Sequence, residues 1–297
     1  MNRLLITLAL AGLAAGAWHL AATDAFDDVP IPVLPEPAGE AGHAAGDPGP
    51  AGGRGAPPGP AVWPRRLALH RARALAKQEP LDTFVRAQRE RVESAPDPRT
   101  RGRALTVLAE ALLERIYQRT SRMGLRPGEP LYDAVPADTA RDVRDGLAAL
   151  AQARALGVET GDGYRVEAGL LTSRITGTLS ALGLKREIAR CYSRALALDP
   201  NDPRLHVALG CRKLFAPRFL GRDTEKALEH LVYACKQLPA DERPRVFAGL
   251  AAWMLGDHAA ARKWVEHAVA VNPRSDFAFA VLRRILAGES EPFARDI

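Results

Sequence analysis

The chain has 297 residues, with 41 Lys and Arg against 35 Asp and Glu, and 47% of it is hydrophobic with few aromatics. That is ample for a core in one large domain or two small ones. Three cysteines, odd in number and without C-x-x-C spacing, argue against a disulfide framework or a thiolate metal site.

The first 26 residues read as a signal peptide or an N-terminal membrane anchor. Arg3 precedes an apolar run from Leu4 to Ala17, and Ala15-Gly16-Ala17 is an A-x-A site of the kind signal peptidase cuts. Continued to Ala22, the run reaches roughly 19 residues, enough to span a bilayer. A cation before the run and Asp24, Asp27 and Asp28 after it place the remainder outside the cytoplasm. The expected location is the cell envelope, periplasmic or otherwise extracytoplasmic, with residues 4–22 in the inner membrane if the segment is kept. Residues 27–61 are rich in Pro, Gly and Ala, which cannot bury enough surface to offset the entropy of ordering. They read as a disordered linker. An anchor followed by a spacer accounts for both segments together.

Residues 62–160 form an N-terminal helical region. Arg-laden helices are predicted over 62–78 and 81–94, then a longer one over 99–124 with an apolar stripe of Leu105, Leu108, Leu112 and Ile116, closed by Gly124. Pro and Gly make a loop of "LRPGEPLYDAVPAD", and another helix follows over 139–157. Beyond residue 60 the chain holds 39 bases and 29 acids, with much of the surplus between Arg65 and Arg126. A solvated arginine-rich helix surface is the leading reading, and contact with anionic lipid or an acidic partner is the alternative. No nucleic-acid-binding motif accompanies the surplus, so nucleic acid is not expected.

Residues 161–297 repeat. Pro200, Pro239 and Pro273 each follow an alanine five residues upstream (Ala195, Ala234, Ala268), and seven residues before those lie Ile188, Ala227 and Ala261. The prolines are 39 and 34 residues apart. Leu209-Gly210, Gly249 and the turn Gly256-Asp257 complete a pattern that resembles the tetratricopeptide repeat, a helix-turn-helix unit. Where that family carries a large first-helix aromatic, this chain has His206 and Arg245. The units are 164–200, 203–239 and 241–273, followed by a capping helix over 275–288 with Ser275 as N-cap and Gly288 as stop. The expected fold is all-α: a tetratricopeptide-like right-handed superhelix of antiparallel helix pairs, behind an N-terminal hydrophobic segment and a disordered linker.

The middle unit carries a longer turn, "FAPRFLGRDTEKAL". Pro217 ends the first helix, Gly221 permits the turn, Asp223 or Thr224 caps the second helix, and Phe219 and Leu220 tuck beneath as an apolar plug. Pro217, Gly221, Asp223 and Lys226-Ala227 are similar to a phrase in the T-component proteins of tripartite ATP-independent periplasmic transporters, although Arg222 replaces a glycine. That resemblance implies an exported helical scaffold with a pore or groove that assists small-ligand capture.

Catalytic, nucleotide and metal motifs are lacking, and "GDG" at 161–163 reads as a turn before a helix beginning near Tyr164 rather than a Ca loop. No cofactor is expected. Asp and Glu read as solvating charges, an enzyme with a groove carboxylate being a remote alternative. The cysteines Cys191, Cys211 and Cys235 read as small buried hydrophobes, with one disulfide as the alternative.

The family register implies a concave groove lined by first helices that takes a protein or peptide partner. It assigns Arg204, Val207, Cys211 and Leu214 to that face in one unit, and Arg243, Val246, Leu250 and Trp253 in the next. In the first unit the equivalents are Leu170, Ser173, Gly177 and Ser180. Arg243 and Trp253 are the expected anchors, unless Trp253 only packs on its neighbouring helix. A ligand-linked periplasmic component is the alternative function.

Overall fold

A computed structural model describes Leu69, Ala72 and residues 79–294, apart from 122, 123, 131, 219 and 220. The expected N-terminal segment and linker, most of the first arginine-rich helix, and the Phe219-Leu220 plug lie outside the described residues.

Within them the chain is all-α. The helices are α1 (Glu79–Glu93), α2 (Pro98–Ser121), α3 (Ala137–Ala155), α4 (Gly161–Thr172), α5 (Thr178–Leu198), α6 (Pro203–Phe215), α7 (Thr224–Gln237), α8 (Arg243–Met254), α9 (His258–Val271) and α10 (Asp276–Leu286). Pairs α2/α3, α4/α5, α6/α7 and α8/α9 pack as hairpins; α1 rests on α2, and α10 on α9. First helices also touch their successors, so α2, α4, α6 and α8 make an inner layer, with α3, α5, α7 and α9 outside it.

Small residues let the hairpins close. A Cβ on Gly210 would meet Leu231 Cγ at 2.9 Å and the Ala227 carbonyl oxygen at 3.1 Å, and one on Gly249 would meet Val265 Cγ2 at 2.8 Å. Hairpin helices end where the prolines forbid continuation: α5, α7 and α9 stop two residues before Pro200, Pro239 and Pro273. Side-chain caps restart them, Asp202 accepting from the Arg204 N–H, Asp223 from Lys226, Asp257 from Ala260 and Ser275 from Ala278.

The first unit departs from the expected register. Thr160 caps α4 by accepting from the Gly163 N–H, so Gly161-Asp162-Gly163 forms the first helical turn rather than a turn before it. Ser180 Oγ accepts from the Thr176 and Gly177 N–H groups at 2.9 and 3.1 Å, which starts α5 at Thr178. Gly177 and Ser180 therefore belong to the cap and second helix of that hairpin, not to an inner-face row with Leu170 and Ser173.

The core runs as three successive clusters: around α1–α3, around α4–α6, and around α6–α10. Leu105, Leu108, Leu112 and Ile116 are buried as their stripe requires. The opposite side of α2 is buried too, through Glu110, Glu114 and Gln118. Acidic side chains expected to be solvated are thus interior, because α2 is covered by α1, α3 and α4 together.

Candidate functional site

Expected groove residues lie on α6 and α8 of the inner layer. Leu214, Val246 and Leu250 are fully buried, and Val207 and Trp253 are half-buried against the same apolar cluster. Arg204, Cys211 and Arg243 are half-buried beside them. The Trp253 ring stacks on His258 at 4.0 Å and lies 6.3 Å from Phe293, so it packs on both the following hairpin helix and the C-terminal segment.

A belt of ionised groups crosses this layer. Arg165 on α4 donates to Glu110 on α2 at 2.7 Å and lies 3.9 Å from Asp202 at the start of α6. Arg243 on α8 donates to both carboxylate oxygens of Glu114, one turn from Glu110 on α2, at 2.9 and 2.8 Å, and lies 3.5 Å from Asp241. Burial works against the charge on Arg165 and Arg243, but the carboxylates outweigh it and both guanidinium pKa values are raised. Between them Arg204 feels Glu110, Asp202 and Asp241, and there burial wins and its pKa is lowered. Arg165, Arg204 and Arg243 stand 39 residues apart in sequence, a periodicity that could have flagged the belt in advance.

The stretch following α2, which turns at Arg126–Glu129, then reaches the third hairpin and the C-terminal segment. The Leu125 N–H donates to the Phe293 carbonyl at 2.6 Å, and the Gly128 N–H to the Phe215 carbonyl at the end of α6 at 3.0 Å. Arg126 Nε donates to the Ala294 carbonyl at 3.1 Å. Leu125 packs against the cluster that holds Leu214, Val246, Leu250 and Phe293. Gly128 takes φ +91°, and a Cβ there would meet the tip of the Arg222 guanidinium and stand 3.5 Å from Pro217 Cα. The long turn of the middle unit is thus where this strap lands. Arg222, standing where the transporter phrase has glycine, donates from Nε to the Ala216 carbonyl at 2.7 Å and abuts the strap.

At the two positions where the resembled repeat would carry aromatics, His206 and Arg245 do buried polar work. Arg245 donates to the Asp241, Leu238 and Cys235 carbonyls at 2.6, 3.1 and 3.3 Å, closing the end of α7. His206 Nε2 lies 3.1 Å from the Pro200 carbonyl and must donate there. Its Nδ1 then accepts from the Nδ1–H of His230 at 2.9 Å. Burial holds both rings neutral, with the His230 pKa lowered to about 4. Cys191, Cys211 and Cys235 are free, and burial pushes each thiol up to about 12.

Among the described residues no group of three or more His, Cys, Asp and Glu could hold a metal, and no helix is long and apolar enough to cross a membrane. The inner layer offers buried apolar contact, main-chain carbonyls and paired charges, the means of holding a polypeptide.

No protein-family profile and no curated protein matches the chain. Among solved structures it is similar to YrrB, described as a TPR protein with an unusual peptide-binding site. Identity is 16% and the TM-score 0.35, over 74% of this chain and 97% of that one.

Proposed function

We propose that the chain is a helical-repeat scaffold that holds an extended segment of a protein partner against the inner faces of α6 and α8. The observation that carries this reading is the strap itself. A stretch of polypeptide without helix already lies there, turning at Arg126–Glu129, bonded through its main chain to Phe215 and Phe293 and packed by one leucine. Main-chain bonds that give affinity and a side-chain seat that gives selectivity are the ingredients of peptide recognition.

We also read the protein as exported and tethered to the inner membrane, acting in an envelope process. This rests on the apolar run at residues 4–22 and the Pro/Gly/Ala-rich residues 27–61.

Photo-reactive side chains at positions 207 and 253, activated in cells, test the scaffold. One partner segment joined at both positions is expected. A chain that joins only to itself would remove the reading. Fractionation tests the tether: recovery with membranes is expected, and a soluble product beginning near Trp18 would overturn it.

A further inference from the structure

The strap that supports the scaffold reading also stands in the way of it. We propose that residues 124–130 are an intramolecular stand-in for the partner, displaced when it binds, and that the partner carries the same Leu-Arg-x-Gly chemistry. This rests on the peptide-binding reading above and adds its regulation and the partner's character.

Geometry supplies each element of the motif. Leu125 packs against an apolar cluster otherwise built from the third and fourth hairpins, α10 and Phe293. Arg126 reaches the Ala294 carbonyl. Gly128 takes φ +91°, a backbone conformation in which a side chain would be strained, while the Arg222 tip beside it could move aside. A partner in the same path needs an aliphatic side chain, then a cation, then glycine two positions further on.

The strap is also lightly held compared with the helices it crosses. Arg126, Glu129 and Pro130 are exposed, and Leu125 is only half-buried. Its main-chain bonds go to carbonyls at the end of α6 and in the C-terminal segment, so releasing it breaks no helix. A segment so placed opens locally without global unfolding. If it is open in about one molecule in a hundred, it weakens partner binding about a hundredfold.

The probe is a fluorescein-labelled peptide of residues 122–132, titrated into the full chain and into a full chain with 125–130 replaced by alternating Gly and Ser. The replaced chain should bind at least tenfold tighter, and a peptide carrying Leu125→Asp should bind neither. Equal binding by both chains would overturn the proposal, as would no binding by a replaced chain with wild-type helix content. If replacement costs helix content, Leu125→Ser is titrated in its place against the same outcomes. Hydrogen exchange on the wild-type chain gives a second test, since the Leu125 and Gly128 amides should exchange at least tenfold faster than the slowest amides of α8. Equal protection would make the strap a fixed part of the fold. Partner segments caught at positions 207 and 253 with the same yield in both chains would leave the scaffold standing and remove only the strap from it.

Discussion

Arg243 and Glu114 lie 129 residues apart in the chain and meet through two hydrogen bonds, joining the first hairpin directly to the fourth. Neighbouring repeats normally contact only each other, so this pair marks a stack curled tightly enough for its ends to touch. Glu114 is 5% exposed and Arg243 26%, so losing the carboxylate strands a charge that water only partly reaches. Glu114→Gln should lower unfolding free energy by about 2–3 kcal/mol, less than for a fully buried pair. A double-mutant cycle with Arg243→Met, read by urea denaturation, should show coupling of about 1 kcal/mol or more. Additive losses would mean that the pair does not close the stack.

Glycine substitutions should change stability with opposite signs depending on where the missing Cβ would point. At Gly210 it meets Leu231 and the Ala227 carbonyl oxygen, and backbone cannot give way cheaply. Gly210→Ala should cost about 1–3 kcal/mol through overpacking. Gly183, on the exposed side of α5, has nothing within 4 Å. Gly183→Ala should stabilise by about 0.5–1 kcal/mol from helix propensity alone. Thermal midpoints that move in the same direction for both would refute the close-approach account of the hairpins.

These cases show which parts of the fold were legible in the sequence. Gly210, Gly249, Asp223, Ser275 and the spaced prolines act on residues a few positions away or on the adjacent hairpin helix, so pattern and turn chemistry expose them. Glu110 and Glu114 do not announce themselves, because an acid on the side of α2 away from its leucine stripe reads like any solvated charge. Their burial depends on α4 arriving from a later repeat. The strap was harder still. Its Pro and Gly mark a loop but carry no period, and Arg126 finds its carbonyl 168 residues away. The first-unit groove slipped because Ser180 supplies a cap that the repeat pattern does not contain.

Thiol chemistry offers a check on core packing. Cys191 and Cys235 are buried and Cys211 half-buried, each with its pKa pushed to about 12 from 9.0 chiefly by desolvation. The thiolate, which is the reactive form, is then about a thousandfold rarer at neutral pH. Native protein should leave Ellman's reagent nearly untouched, and denatured protein should release three equivalents. A fast native phase of one equivalent would show that a helix covering that thiol is loosely packed.

The histidine pair should make the protein acid-sensitive above the range where most carboxylates titrate. His206 is committed as a donor to Pro200, so the 2.9 Å contact with His230 holds only one proton between the two Nδ1 atoms. Protonation of His230 places a charge in this buried site, which desolvation disfavours most, with His206, Lys226 and Lys213 adding repulsion and Asp223 opposing it weakly. The folded His230 pKa of about 4 lies below the ordinary 6.5, so the unfolded chain takes up the proton first. Stability from this pair is therefore complete above pH 6.5 and is lost progressively as pH falls toward 4, reaching about 3 kcal/mol. Urea midpoints at pH 7.5, 6.5, 5.5 and 5.0 should fall across that window in the wild type. They should stay nearly level in a His206→Leu, His230→Leu double variant, and a variant that keeps the wild-type slope would assign the acid sensitivity to other groups.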